Sequence, residues 1–142
     1  MTPSLRQKAL DFLSRREHSR LELATKLKRY EVTTAEIELL LDKLETQKLL
    51  SDTRFADAYC HMRFKKGYGP QRIAQELEVR GVADTIISGI LNKISEIEWQ
   101  ENLKAVREKK FGQEIPKDLA DKFKQNQFLY YRGFTGDQIK AI

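Results

Sequence analysis

Cys60 is the only cysteine of this 142-residue chain, and His18 and His61 are its two histidines. A thiolate or imidazole does chemistry when a second group holds it within hydrogen-bond reach of a reacting atom. No Ser, Asp or His stands at a spacing that would supply that group. Cys60 follows Tyr59 inside a helical pattern, where cysteine serves as a small packed residue, and with no second cysteine it forms no internal disulfide. His61 beside it reads as a surface residue. Gly67-Tyr-Gly69 lacks the Lys-Ser/Thr that completes a phosphate loop, and no Cys/His set has metal-ligand spacing. Asp52, Arg54 and Asp57 suit the first turn of a helix, whose positive end favours carboxylates, with Ser51 or Asp52 as its cap. The expectation is a protein without catalytic residues, metal or cofactor, and not an enzyme.

The cations carry more information. Arg63, Lys65 and Lys66, with Arg72 across the Gly67-Tyr68-Gly69-Pro70 turn, put four positive charges into ten residues. Arg15, Arg16 and Arg20 repeat the arrangement upstream, as do Arg107, Lys109 and Lys110 downstream. Lysine and arginine at a helix C-terminus complement its dipole, which accounts for one such cluster. Three in register predict a stripe that meets phosphates or an acidic protein groove. The nine residues expected to form it are Arg63, Lys65, Lys66 and Arg72 at the centre, flanked by Arg15, Arg16, Arg20, Lys109 and Lys110.

These clusters recur because the chain repeats. A shift of fifty residues lays Leu23 on Ile73, Ala24 on Ala74, Leu27 on Leu77, Val32 on Val82, Ile37 on Ile87 and Leu41 on Leu91. A third copy follows once an insertion near Gly112 to Leu119 is allowed: Trp99, Leu103 and Val106 match Phe55, Tyr59 and Met62, and Leu129, Arg132 and Gly133 match Leu77, Arg80 and Gly81. A unit of this size cannot bury its own apolar face and must stack on a copy. The division is 1–50, 51–97 and 98–142. Lys and Arg outnumber Asp and Glu by 10 to 8, 7 to 6 and 9 to 7 in the three units, within a net charge of +5. No unit is a basic tail, so attraction to a polyanion must arise from how charges are placed on a face.

The elements that position these residues have helical period. Leu5, Ala9, Phe12 and Leu13 line one helix, Leu23, Leu27 and Tyr30 a second, and Ile37, Leu40, Leu41 and Leu44 a third. Ser19-Arg-Leu-Glu22, Thr33-Thr-Ala-Glu36 and Thr135-Gly-Asp-Gln138 fit the capping box. Gly69-Pro70 opens the middle unit's second helix, and Gly81 and Gly133 stand where a left-handed residue ends one. No alternation of period two appears. The expected fold is all-α, an elongated tandem array of three three-helix, helix-turn-helix-like repeats. The third helices open on Thr34-Ala-Glu, Ala83-Asp and Gly136-Asp, acidic where a base-reading helix would approach phosphate, which disfavours major-groove reading. The opening residues lack the apolar run of a signal peptide, and no segment reaches the length of a membrane span, so a cytoplasmic monomer is expected.

The run Leu50-Ser-Asp-Thr-Arg-Phe-Ala-Asp-Ala-Tyr59, then Arg63, Lys66-Gly-Tyr-Gly-Pro70, Ile73, Glu76-Leu77 and Arg80-Gly-Val82, resembles the central motif of the RecX family, regulators of the RecA recombinase. Ala9-Leu-Asp-Phe-Leu-Ser-Arg-Arg16 resembles the family's first repeat and Phe128-Leu-Tyr-Tyr-Arg-Gly-Phe134 its last. The polar stretch Lys124-Gln-Asn-Gln127 departs from the tighter pattern of related repeats. The resemblance implies an array lodged in the groove of the RecA filament, meeting single-stranded DNA through that filament. There it would inhibit recombinase, ATPase and coprotease activity and limit filament extension. Of the motif residues, Phe55, Tyr59, Ile73 and Leu77 read as core, Gly67, Gly69 and Pro70 as the turn aiming the second helix, Gly81 as its end, and Asp52 and Arg54 as the opening of the first. The competing expectation is a stand-alone DNA-binding module.

Overall fold

The computed structural model describes residues 3–142, leaving Met1 and Thr2 of the opening segment outside it. Side-chain capping sets most helix starts. Ser19, Thr33 and Thr135 each accept from the backbone N–H three residues on, while Glu22, Glu36 and Gln138 return a bond to the cap. Ser4 with Gln7 and Ser95 with Glu98 form the same reciprocal pair. Ser51 caps the helix that Asp52 begins. Gly69 has no side chain to offer, and Pro70 takes the first helical position, where its missing N–H costs nothing.

The result is nine helices and no strand among the described residues. The first unit contains α1 (Leu5–Arg15), α2 (Arg20–Leu27) and α3 (Thr34–Thr46). The second contains α4 (Asp52–Lys65), α5 (Pro70–Val79) and α6 (Asp84–Leu91). The third contains α7 (Glu96–Phe111), α8 (Leu119–Tyr131) and the short α9 (Gly136–Lys140).

The apolar stripes close into two cores. Ala9, Leu23, Leu27, Ile37, Leu41, Leu44 and Leu50 fill the first unit. The second and third units share one core: Phe55, Ile73, Leu77 and Ile87 from one side are continuous with Trp99, Leu103, Leu129 and Phe134 from the other. Phe64 meets Trp99 edge to face at 5.2 Å between centroids, and Asn102 Nδ2 donates to the Phe64 carbonyl at 3.0 Å. Each fully buried leucine or phenylalanine stabilises by about 1.5–3 kcal/mol, so the shared core binds units two and three into one body.

The units join by a repeated device. In each case the turn after one unit's second helix lies against the start of the preceding unit's second helix. Ser19 Oγ donates to the Arg80 carbonyl at 2.7 Å. At the next joint the N–H of Gly69 donates to the Arg132 carbonyl at 2.7 Å, and that of Gln71 to the Gly133 carbonyl at 2.9 Å. Gly81 and Gly133, at φ of 83° and 99°, occupy backbone that side-chain-bearing residues rarely adopt. A Cβ on Gly133 would lie 2.6 Å from the Arg72 backbone nitrogen, and one on Gly69 2.6 Å from the Gly133 carbonyl oxygen. At the first joint the three atoms nearest a Cβ on Gly81 all belong to the Leu21 side chain, the first at 2.7 Å. The second joint is thus backbone against backbone. The first is also held by the Arg20 N–H on Asp52 Oδ1 at 2.7 Å and by Arg54 on Glu17 at 3.0 Å.

The polar stretch of α8 has a simple cause. Lys124, Asn126 and Gln127 face solvent, as do Leu119 and Phe123 before them, because the first half of α8 extends past the shared core.

Candidate functional site at the joint of the second and third units

Glu76 on α5 organises the central cations. Arg63, one helix away on α4, reaches it with Nε on Oε1 at 2.8 Å and Nη2 on Oε2 at 2.9 Å. Tyr59 Oη donates to Oε1 at 3.1 Å and Arg72 Nε to Oε2 at 3.3 Å. Burial works to raise the Glu76 pKa, but the hydrogen bonds from Arg63 and Tyr59 and the Arg63 charge prevail and hold it below the usual carboxylate value. Burial and the bond to Glu76 push the Tyr59 phenol up. Burial opposes the charge of Arg63, yet its bond to Glu76 leaves the guanidinium pKa raised.

Tyr68, in the turn that Gly67 opens, carries three guanidiniums around its ring. Arg63 lies 3.7 Å from the centroid, and Arg72 and Arg132 each 4.7 Å. Contacts of this kind contribute about 0.5–2 kcal/mol, more as they are desolvated. Arg132 also donates to the Lys66 carbonyl at 3.1 Å, and Arg72 to the Tyr131 carbonyl at 3.1 Å. The arginines of this face are therefore fixed in place rather than swaying in solvent. Beside them lies a cleft of about 320 Å³ whose walls include Gln71, Arg72, Gln75, Tyr130 and Tyr131, with both tyrosines exposed.

The structure separates the nine cations of the expected stripe into two groups. Arg15 pairs with Asp11 and Arg16 with Glu22, each at 3.0 Å. Arg20 points into the carboxylates of Glu38, Asp42 and Glu45 on α3, which hold its pKa up against burial. Arg63 and Arg72 share Glu76. Lys65, Lys66, Lys109 and Lys110 are exposed at the ends of α4 and α7, and none of the ion pairs among the described residues involves them.

The motif residues take structural places. Phe55, Ile73 and Leu77 are buried. Tyr59 is half-buried and polar at its tip, closer to the site than a core assignment implies. Gly67 turns at φ of 89° against Val106. Burial raises the Asp52 pKa, opposed by the Arg20 N–H that the carboxylate accepts. Cys60 is buried, and desolvation pushes its thiol up to about 11, the reverse of a reactive thiol. No group of His, Cys, Asp and Glu suited to a metal ion occurs among the described residues, and no helix there is long and apolar enough to cross a membrane.

Three family models of consecutive RecX three-helix domains match this chain: the first over residues 6–44, the second over 51–91 and the third over 96–142. The chain belongs to the RecX family. The regulatory protein RecX of Halorhodospira halophila is 44% identical over 97% of this chain and 85% of its own length. That of Pseudomonas fluorescens is 39% identical over 98% of this chain and 89% of its own. The crystal structure of RecX from Lactobacillus salivarius superposes with a TM-score of 0.85 at 23% identity, covering 96% of this chain and 90% of that one. A second regulatory protein RecX structure gives 0.84, also at 23% identity. The two structures establish the fold as that of RecX, all-helical and built from three-helix domains.

The arginines stand out in the sequence, but the group that holds them was missed. Glu76 stands four residues after Arg72, the helical spacing of an ion pair, which was the one sequence signal available for it. Arg132 and the exposed Tyr130 and Tyr131 join the face only through the third unit's docking, whereas Tyr68 already meets Arg63 and Arg72 within the second unit.

Proposed function

We propose that this RecX-family chain is a non-enzymatic cytoplasmic regulator that lies as a monomer along a RecA filament on single-stranded DNA. It inhibits the filament's recombinase, ATPase and coprotease activity and limits its extension. The single observation that carries the reading is the set of exposed lysines, Lys65, Lys66, Lys109 and Lys110, left without carboxylate partners at the same helix ends of adjacent units. The chain of joints supports it: unit one meets unit two, unit two meets unit three, and among the described residues no hydrogen bond or ion pair links one to three. Such an array offers an extended face to a helical groove. Contacts of this kind raise association rate and partner choice through charge complementarity.

A regulator of this type needs no reacting centre. Its effect equals its preference for one filament state over another, and a state bridged by an array spanning neighbouring protomers would resist both growth and nucleotide turnover. The test is co-sedimentation with RecA on single-stranded DNA, with filament ATPase read in parallel. Association and suppressed ATPase are expected. Normal filament ATPase at saturating protein would overturn the proposal, and tight binding to naked DNA with indifference to RecA would mark a stand-alone DNA-binding module instead.

A further inference from the structure

The third unit carries a second cationic site, facing a cleft that the filament reading does not use. The cleft, of about 180 Å³, lies among the end of α7, the loop after it, α8 and α9, and Arg107, Lys122 and Lys140 converge on it from those three helices. No acidic side chain lines it. Elsewhere the arginines of the chain are largely neutralised, Arg16 by Glu22, Arg20 by three carboxylates and Arg63 by Glu76. Here none of the three cations takes part in an ion pair among the described residues.

Arg107 adds a second, independent sign. Its Nε is buried and has no hydrogen-bond partner, the one side-chain nitrogen or oxygen so placed among the described residues. Buried donors in folded proteins are almost always satisfied, so the Arg107 guanidinium keeps hydrogen-bonding capacity that no protein group uses. A guanidinium presents paired N–H groups matched to the two oxygens of a carboxylate. Lys122 and Lys140 are exposed at the mouth and supply charge without fixed geometry. The amides of Gln125 and Asn126 add hydrogen-bonding capacity to the wall.

The remaining lining decides between anions. Ile115, Pro116, Ile139 and Ile142 make its aliphatic lining, with no aromatic ring in the cleft. Single-stranded nucleic acid is held by rings on which bases stack, and none is offered. An aliphatic side chain flanked by carboxylates matches both lining and rim, and the volume suits one side chain rather than a small-molecule cofactor. We propose that this cleft binds an acidic segment of a protein partner, seating one aliphatic side chain on Ile115, Pro116 and Ile139 while its carboxylates meet Arg107, Lys122 and Lys140. The lining includes none of Lys65, Lys66, Lys109 and Lys110, and the proposal stands or falls apart from the filament reading.

The test is fluorescence anisotropy of the full chain with a labelled peptide, Glu-Asp-Leu-Glu-Asp, beside its Lys-Lys-Leu-Lys-Lys counterpart and a short labelled single-stranded oligonucleotide. The variant is the double reversal Lys122→Glu, Lys140→Glu. Both side chains are exposed, so it keeps its fold, checked by circular dichroism. The acidic peptide is expected to bind the wild type, the basic one not, and the double reversal to weaken binding about tenfold or more, as loss of close charge pairs does. Failure of the wild type to bind the acidic peptide, or equal binding by the variant, overturns the proposal. So does oligonucleotide binding that is lost on reversal while the peptide is ignored, which would make the cleft a nucleic-acid contact.

Discussion

Replacing Gly133 by alanine tests the joint between the second and third units more sharply than any core mutation, because it adds one methyl group where two backbones touch. At φ of 99° a side-chain-bearing residue is strained by about 1–3 kcal/mol. The new Cβ would also lie 2.6 Å from the Arg72 nitrogen, so α5 must move away. That movement breaks the bonds from Gly69 and Gln71 to the Arg132 and Gly133 carbonyls, each contributing about 1 kcal/mol net. The sum is about 3–5 kcal/mol, a large share of the 5–15 kcal/mol typical of a folded domain. Gly112→Ala is the control: at φ of 87° and ψ of 179° its backbone is strained for any side chain, but nothing lies within 4 Å of the added Cβ, and about 1–3 kcal/mol is expected. Gly81→Ala falls between, since the half-exposed Leu21 side chain it meets can swing away. Urea unfolding followed by helical circular dichroism ranks the three. Amide exchange should also show Gly69 and Gln71 losing protection in Gly133→Ala alone. If Gly133→Ala unfolds within about 1 kcal/mol of Gly112→Ala, the two units do not press backbone on backbone and the reasoning fails.

Two titrating groups give further expectations. Glu76→Ala leaves Arg63 without its carboxylate in a site where the pair is only 15% and 20% exposed; about 3 kcal/mol should be lost, at the lower end for a broken buried pair. Because the Glu76 pKa is held below its ordinary 4.5, that contribution is complete above pH 4.5 and lost as pH falls through the lowered value, so the gap between wild type and Glu76→Ala should close in acid; a gap that persists unchanged there refutes the ion-pair account. His18 is 1% exposed, with Nδ1 3.0 Å from the Arg16 carbonyl and Nε2 2.8 Å from Lys26 Nζ; the neutral ring donates to the first and accepts from the second. Burial, with the charges of Arg16 and Lys26 and against the Arg16 carbonyl and Glu22, lowers its pKa from 6.5. The contribution of His18 is therefore full above pH 6.5 and declines as pH drops through the lowered value, and His18→Gln should remove that part of the pH dependence in equilibrium unfolding. An identical pH profile in His18→Gln would show that the ring is not the titrating group.

Features that depend on near neighbours were legible in the sequence. Ser19 with Glu22 and Thr33 with Glu36 cap their helices as their spacing predicts, and Gly81 and Gly133 adopt the positive φ expected after a second helix. The fifty-residue periodicity set out the helices and the repeats. What depended on tertiary meeting was not legible. The carboxylates of Glu38, Asp42 and Glu45 share one face of α3, but only the packing of α2 on α3 brings Arg20 to them. His18 looked solitary because Lys26 and the Arg16 carbonyl approach it only through the bend between α1 and α2. The core common to units two and three was hidden too, since Trp99 and Phe64 meet across a joint whose geometry is set by two glycines.

The central claim, that the exposed lysines left unpaired on two adjacent units engage a RecA filament, is tested most directly by one comparison. It is co-sedimentation of wild type and of a quadruple Lys65→Glu, Lys66→Glu, Lys109→Glu, Lys110→Glu variant with RecA filaments on single-stranded DNA. Reversal of four exposed charges leaves the buried cores untouched, and filament affinity is predicted to fall by about a hundredfold or more, with the wild-type salt dependence largely abolished. A folded quadruple variant that sediments with the filament as the wild type does would contradict the account.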